Sequence, residues 1–325
     1  MTAPWTLRYY REGDDEGILD LLVAAFGRWP GVDIDVAPID HLRWKLSSDP
    51  IAKGVNYVAE ADGRIIGCQL IFVQRLKYGE RVLLADNGTD YAVHPDFQGR
   101  GLSKEIWNFD YQRFFDTFYV IISISDSPVV LHQVETIGSG RRLANTMEWL
   151  ECDTASFATA RVDERLTPSS SFDQRIDDFC RDALAPFELA IVRDLTYLNW
   201  RYADPRAGRH AICLAEENGA LLGYAVYATA RGKGFIADLL VLPGRLDLIR
   251  AFVLDAGLYF GERGIGTMRC WSPQRHLYRD ALLGAGFRVL RPVGQFGFGL
   301  RGRELPPRDD PNAAVHFTVG DTDIV

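Results

Sequence analysis

The sequence is poor in sulfur and has no long apolar run. Its five cysteines, Cys68, Cys152, Cys180, Cys213 and Cys270, are odd in number and widely scattered, and no two form a C-x-x-C pair. That pattern gives no zinc or dithiol motif, so no metal is expected and the thiols read as buried and reduced. No apolar run approaches the roughly 20 residues that cross a bilayer. The opening MTAPWTLRYYREGDDEG is charged early and lacks the apolar core of an export signal. A cytoplasmic protein without a membrane partner is expected.

Positive charge is also in deficit: 36 Lys and Arg stand against 44 Asp and Glu, a net charge of −8. Such a field repels polyanions, so no nucleic-acid partner is expected, and it favours small cationic substrates. What remains is ordinary globular composition, 47% hydrophobic and 25% charged over 325 residues. That is material for two domains of about 150 residues.

The chain repeats itself. HLRWKLSSDP (41–50) precedes NYVAEADGRIIGCQLIF (56–72), as YLNWRYADP (197–205) precedes AICLAEENGALLGYAVYA (211–228). Trp44 matches Trp200 and Gly67 matches Gly223, each pair 156 residues apart. Asp62-Gly63 and Asn218-Gly219 between apolar runs are hairpin signals. After a shortening of the next hairpin, TDYAVHP (89–95) matches ADLLVLP (237–243), setting Asp90 opposite Asp238, and VIISISDSP (120–128) parallels TMRCWSP (267–273). Two copies of one fold follow.

Within the first copy the order reads strand (6–10), helices (14–27 and 39–47), three strands (56–60, 64–74, 81–93), helix (101–118), strand (119–125) and helix (129–138). Antiparallel strands followed by a right-handed crossover give a mixed α/β (α+β) class. RVDERLTPSSSFDQRIDDF (161–179) is the most linker-like tract, and domains of 1–160 and 161–325 are expected. The ending HFTVGDTDIV looks like a strand returning to the body, with Asp321 and Asp323 placed to suit a cationic amine.

HPDFQGRGLSKEIWNF (94–109) carries the chemistry. A β-prone run stops at Pro95, two glycines surround Arg100, and a helix follows. Gly99 and Gly101 lack a Cβ, so the turn can aim its amides at one point in front of the helix's positive end, which makes an anion site. The spacing is not that of a P-loop, and Lys104 stands where a dinucleotide fingerprint needs its third glycine.

Gln98-Gly99-Arg100-Gly101-Leu102-Ser103 instead resembles the acyl-CoA loop, Gln/Arg-x-x-Gly-x-Gly/Ala, of the GNAT superfamily, with Ser103 in the last place. Val93-His94-Pro95 matches that family's lead-in. The resemblance covers the first copy directly and the second through the repeat. It implies two tandem GNAT-like domains, each a mixed, mostly antiparallel sheet flanked by helices. It also implies acetyl-CoA or another acyl-CoA as cosubstrate, bound by the loop and by backbone amides near Tyr91, Ala92 and Val93. In the second copy GRLDLI (244–249) puts Asp247 where phosphates would sit, so no CoA is expected there.

Acyl transfer to an amine needs a base, a polarised thioester carbonyl and a proton for the departing thiolate. Asp90, Asp126 and, one alternation plus a turn before Asp90, Asp86 are the candidate bases. His132 and Tyr91 are candidate acids, because Gln133, Glu135 and their neighbours replace the tyrosine usual in the family's final helix; Tyr278 holds that place in the empty copy. The reading is an N-acyltransferase, in all expectation an acetyltransferase, acting on a small-molecule amine. A non-catalytic acyl-CoA sensor is the alternative. Aminoacyl transfer from charged tRNA fits poorly with the acidic charge. Oligomeric state is left open.

Overall fold

Asp62 and Gly63 have φ values of 50° and 76°, and Asn218 and Gly219 of 51° and 80°. This double left-handed turn matches the twist of the strands it joins. The computed structural model describes residues 4–47, 49–51, 56–117, 120–125, 141–159, 161–293, 295–300 and 309–324. The first sheet runs β1 (Thr6–Tyr9), β2 (Tyr57–Ala61), β3 (Arg64–Tyr78), β4 (Arg81–Val93), β5 (Val120–Ser125), β15 (Gln295–Leu300) and β6 (Arg141–Arg142). The second runs β14 (Arg288–Pro292), β7 (Met147–Asp153), β13 (Thr267–Pro273), β12 (Lys233–Val241), β11 (Ala220–Ala230), β10 (His210–Glu217) and β8 (Leu166–Ser169). The packing helices include α1 (Asp15–Phe26), α2 (Pro38–Ser47), α3 (Leu102–Thr117), α4 (Arg175–Leu184), the single turn α5 (Leu195–Leu198), α6 (Asp247–Gly261) and α7 (Arg279–Gly284). The helix expected at 129–138 lies outside the described residues.

The mixed α/β class and the tandem arrangement hold, and in both copies the crossover strand pair is parallel: β4 with β5 and β12 with β13. The sheets do not divide at residue 160. β7, from the first half of the chain, sits between β13 and β14 of the second sheet, and β15 sits between β5 and β6 of the first. Each copy lends the other a strand.

The linker-like tract is corrected too: Leu166–Ser169 is β8, antiparallel to β10 at the edge of its sheet. An edge strand tolerates Pro168 because one side of its backbone needs no ladder partner. The chain end does return, as β16 (Val315–His316) pairing parallel with β9 (Leu189–Ile191), which pairs with the tip of β3.

Repeat-equivalent residues meet at the centre. The Trp44 and Trp200 rings stack with centroids 4.8 Å apart, and Trp44 Nε1 donates to the Trp200 carbonyl at 3.2 Å. Both belong to one apolar core that joins Phe72, Ala85 and Ile122 of the first copy to Tyr224, Leu240 and Phe252 of the second. Gly67 and Gly223 also act alike. A Cβ at Gly67 would lie 2.6 Å from Ile106 of α3, and one at Gly223 3.1 Å from Phe252 of α6, so each glycine lets a helix lie close on its sheet.

The copies differ in one hairpin. β3 and β4 have 15 and 13 residues, whereas β11 and β12 have 11 and 9. The long hairpin receives β9 at Leu76–Tyr78. The short one ends in a tight turn at Arg231-Gly232.

Candidate functional site

The glycine-arginine turn is built as its sequence demands. Pro95–Phe97 forms one 3-10 turn, and Gly99 and Gly101 follow with φ of 73° and 88°, values that favour glycine. Nothing lies within 4 Å of where a Cβ would stand at either glycine. The 16-residue α3 begins immediately after, anchored by the buried side chain of Leu102. The turn is braced from outside. Gln98 Nε2 donates to the Val93 carbonyl at 3.1 Å, Arg100 lies 5.3 Å over the Phe97 ring, and His94 Nε2 meets Arg64 at 2.6 Å. Open amides at a helix N-terminus, approachable because both glycines are bare, fit a diphosphate.

Beside this turn β4 loses its neighbour. Its register with β5 covers only Ala85, Asp86 and Asn87, so among the described residues the β5-facing edge from Gly88 to Val93 has no strand partner. Ala92 and Val93 pair with Cys68 and Gly67 on the other side. Between them and Thr89 a bulge sets Asp90 and Tyr91 against the single Gln69, and Asp90 takes φ 40°. Tyr91 turns toward α3: its hydroxyl donates to the Ser103 carbonyl at 2.5 Å and lies 2.8 Å from Ser103 Oγ. Ser103, the residue that departs from the family pattern, thus has a partner inside the protein.

Asp90 points the other way, into a buried ionic group. Trp29 Nε1 donates to it at 2.7 Å, and Lys45 of α2 bonds to it and, at 3.1 Å, to Asp323. Burial pushes the Asp90 carboxyl up despite Lys45. Burial alone would lower Lys45, but Asp323 and Asp90 together hold it above its ordinary value. Asp321 does not reach this group. It is buried on Arg193 at 3.0 Å, and burial raises its carboxyl to about 6. Asp86 is buried in the paired part of β4, before the strands part. Asp126 and His132 lie outside the described residues.

Asp90, Tyr91 and Asp323 open onto a cleft of about 660 Å³ between the copies. Trp29 walls it from the first copy, and Trp149 and Phe235 from the second sheet. Four basic residues also line it: Arg28, Arg231, Lys233 and Arg269. The sequence reading anticipated Asp90 and Asp323 here but missed Lys45, Trp29 and the basic residues. The cation in HLRWKLSS and the dense basic turn ARGKG (230–234) were the available signals.

The second copy has closed the equivalent opening. β12 and β13 pair only at Gly234 and Phe235 and then part. At Val241, the match of Val93, the buried Tyr278 hydroxyl accepts from the backbone N–H and donates to the carbonyl, both at 3.2 Å. The amide that would face a ligand is already bonded.

A parallel pair that parts beside a bulge, with a glycine turn leading into a long helix, is the arrangement that the comparisons with known proteins address. Residues 6–124 match the family model of the GNAT acetyltransferase domain. The whole chain shares its fold with solved structures at low identity. Yeast (Saccharomyces cerevisiae) N-myristoyltransferase with bound myristoyl-CoA superposes with a TM-score of 0.66 at 8% identity, over 98% of this chain and 90% of that one. A GCN5-related N-acetyltransferase of Anabaena variabilis gives 0.63 at 10%, over 90% and 72%, and one of Sphaerobacter thermophilus gives 0.55 at 16%, over 92% and 96%. No curated protein matches the sequence significantly. No helix among the described residues is long and apolar enough to cross a membrane.

Proposed function

We propose that the chain is an acyl-CoA-dependent N-acyltransferase, with acetyl-CoA the first cosubstrate to try. The carrying observation is the pair of open, positive-φ glycines at the start of α3, near a cleft lined by Asp90 and Asp323, whose carboxylates share the buried Lys45. Gln98 to Ser103 take the diphosphate, and the unpaired edge of β4 at Ala92 and Val93 takes the pantetheine arm and the thioester oxygen. No side chain is needed for that second task.

The acceptor amine enters from the cleft between the copies. Asp90 and Asp323 hold it and take the proton lost as the amide C–N bond forms and the thioester C–S bond breaks, and that proton balances the CoA thiolate, which leaves as thiol; Asp323 is the more open of the two, its side chain 27% exposed against 8% for Asp90. Lys45 keeps the pair from carrying two unbalanced charges and so sets their position. Tyr91 is a positioning residue, because its hydroxyl ties the cleft strand to the first turn of α3. The second copy supplies acceptor walls and binds no CoA of its own.

Thiol release from acetyl-CoA across an amine panel tests the reading, alongside calorimetric titration with acetyl-CoA. One equivalent bound, with turnover lost in Asp323→Asn, is the expected result. Binding without turnover on any amine would make the protein an acyl-CoA sensor. No binding would overturn the assignment.

A further inference from the structure

We infer that the acceptor is a zwitterion, an amine that also carries a carboxylate or phosphate, and that Arg231 and Lys233 of the second copy recognise the anionic end. The inference deepens the acyltransferase reading by naming its substrate class.

It rests on how the cleft's charges are satisfied. Arg269 is engaged by Glu151 at 2.7 Å, and Arg28 reaches Asp33 at 3.4 Å. Among the described residues Arg231 and Lys233 show no side-chain hydrogen bond or ion pair, although both line the cleft. The opposite charge sits at the floor, where one lysine is shared by two aspartates. A cation-only acceptor would suit the floor and meet two unneutralised positive charges at the wall. An amine with an anionic group meets both, and this charge complementarity discriminates between partners. The chain's net charge of −8 therefore misleads about its cleft.

Backbone geometry sets Arg231 apart as well. Four non-glycine residues have positive φ among the described residues: Asp62, Asn218, Asp90 and Arg231. Asp62 and Asn218 are favoured residues for hairpin turns. Asp90 and Arg231 are the other two, and both line the cleft. Arg231 occupies a two-residue turn, where asparagine or glycine is the unstrained choice, with its guanidinium beside Gly31; a Cβ at Gly31 would lie 3.7 Å from Nη2. The short β11–β12 hairpin presents this turn to the cleft.

The test is calorimetric binding of matched probes to the full chain, without acyl-CoA and then with CoA present. The probes are L-phenylalanine against L-phenylalaninamide, and O-phosphoethanolamine against ethanolamine. At least one zwitterion should bind about tenfold or more tighter than its cationic partner, and whichever pair shows the preference identifies carboxylate or phosphate. Arg231→Asn with Lys233→Met should erase that preference, a loss of about ten- to a hundredfold for charge-assisted hydrogen bonds. Melting temperature should hold or rise, since asparagine suits the turn. Equal binding within both pairs, tighter binding of the cations, or an unchanged preference in the double variant would overturn the inference. Absence of acyl-CoA binding with the zwitterion preference intact would sink the acyltransferase reading alone.

Discussion

Replacing Gly101 separates a backbone cost from a ligand cost. At φ 88° an alanine should cost about 1–2 kcal/mol of stability, because its Cβ crowds its own backbone in the left-handed region. No neighbour lies within 4 Å of that Cβ, so no packing penalty is added. At about 2–4 °C per kcal/mol for a protein of this size, the melting temperature should fall by roughly 2–8 °C. The same Cβ stands where the diphosphate must approach, so acetyl-CoA affinity should drop by about tenfold or more. Gly101→Glu has the same backbone cost and adds a like charge worth several kcal/mol against the phosphates, so its loss should exceed about a hundredfold. Gly13→Ala is the control: φ is 97°, the Cβ position is equally empty, and the residue lies in the turn before α1. It should melt earlier by a similar amount and bind acetyl-CoA as the parent does. Scanning calorimetry and titration calorimetry read both quantities. Parental affinity in Gly101→Glu, or an equal affinity loss in Gly13→Ala, would refute the diphosphate assignment.

Lys45→Met leaves Asp90 and Asp323 without their shared cation, and urea unfolding at pH 8 should show a loss of about 3–5 kcal/mol. Part of it should return at pH 5, because a carboxyl already lifted by burial protonates readily once the lysine is gone. Tyr278→Phe removes both hydroxyl bonds at Val241 and should cost about 1–3 kcal/mol, with acetyl-CoA stoichiometry still one. For Asp321 the folded value of about 6 lies above the ordinary 3.8, so folding takes up a proton between them. The stability from this group is full below about pH 4 and is lost as pH rises through about 6. Urea midpoints of Asp321→Asn should therefore show a flatter slope from pH 4 to 6 than the parent.

The repeat made most of the fold legible. Asp62-Gly63 and Asn218-Gly219 fixed two hairpins by local turn chemistry, and Trp44 and Trp200 marked equivalent positions that prove to stack on each other. The strand exchange was not legible, because Met147–Asp153 has the same β pattern whichever sheet it joins; only packing decides. β8 hid behind Pro168 for a related reason, since edge position is a tertiary property. At the site, glycine spacing announced the left-handed turn before α3 because the constraint is local. Lys45, Trp29, Trp149 and Arg231 converge from four distant segments, and no spacing rule links them.

The two repeat-equivalent aspartates show how differently one residue can be surrounded. In the second copy Asp238 is bound by Arg193 at 2.9 Å and by Tyr224 at 3.0 Å, and Arg193 also holds Asp321 at 3.0 Å. In the first copy Asp90 is bound by Lys45, which also holds Asp323 at 3.1 Å. One short C-terminal segment, secured where Arg201 donates to the carbonyls of Gly320 and Thr322, therefore completes both aspartate-cation-aspartate groups. Arg193 is wholly buried and its planar fork is filled, so that group pins the segment and has no open face. Lys45 is a point charge with one partner, Asp323, partly open to the cleft, and Asp90 sits at a bulge in the strand that lines it. The two aspartates differ in the cation that answers each and in how open its second partner is. The duplicated aspartate alone carries neither fate.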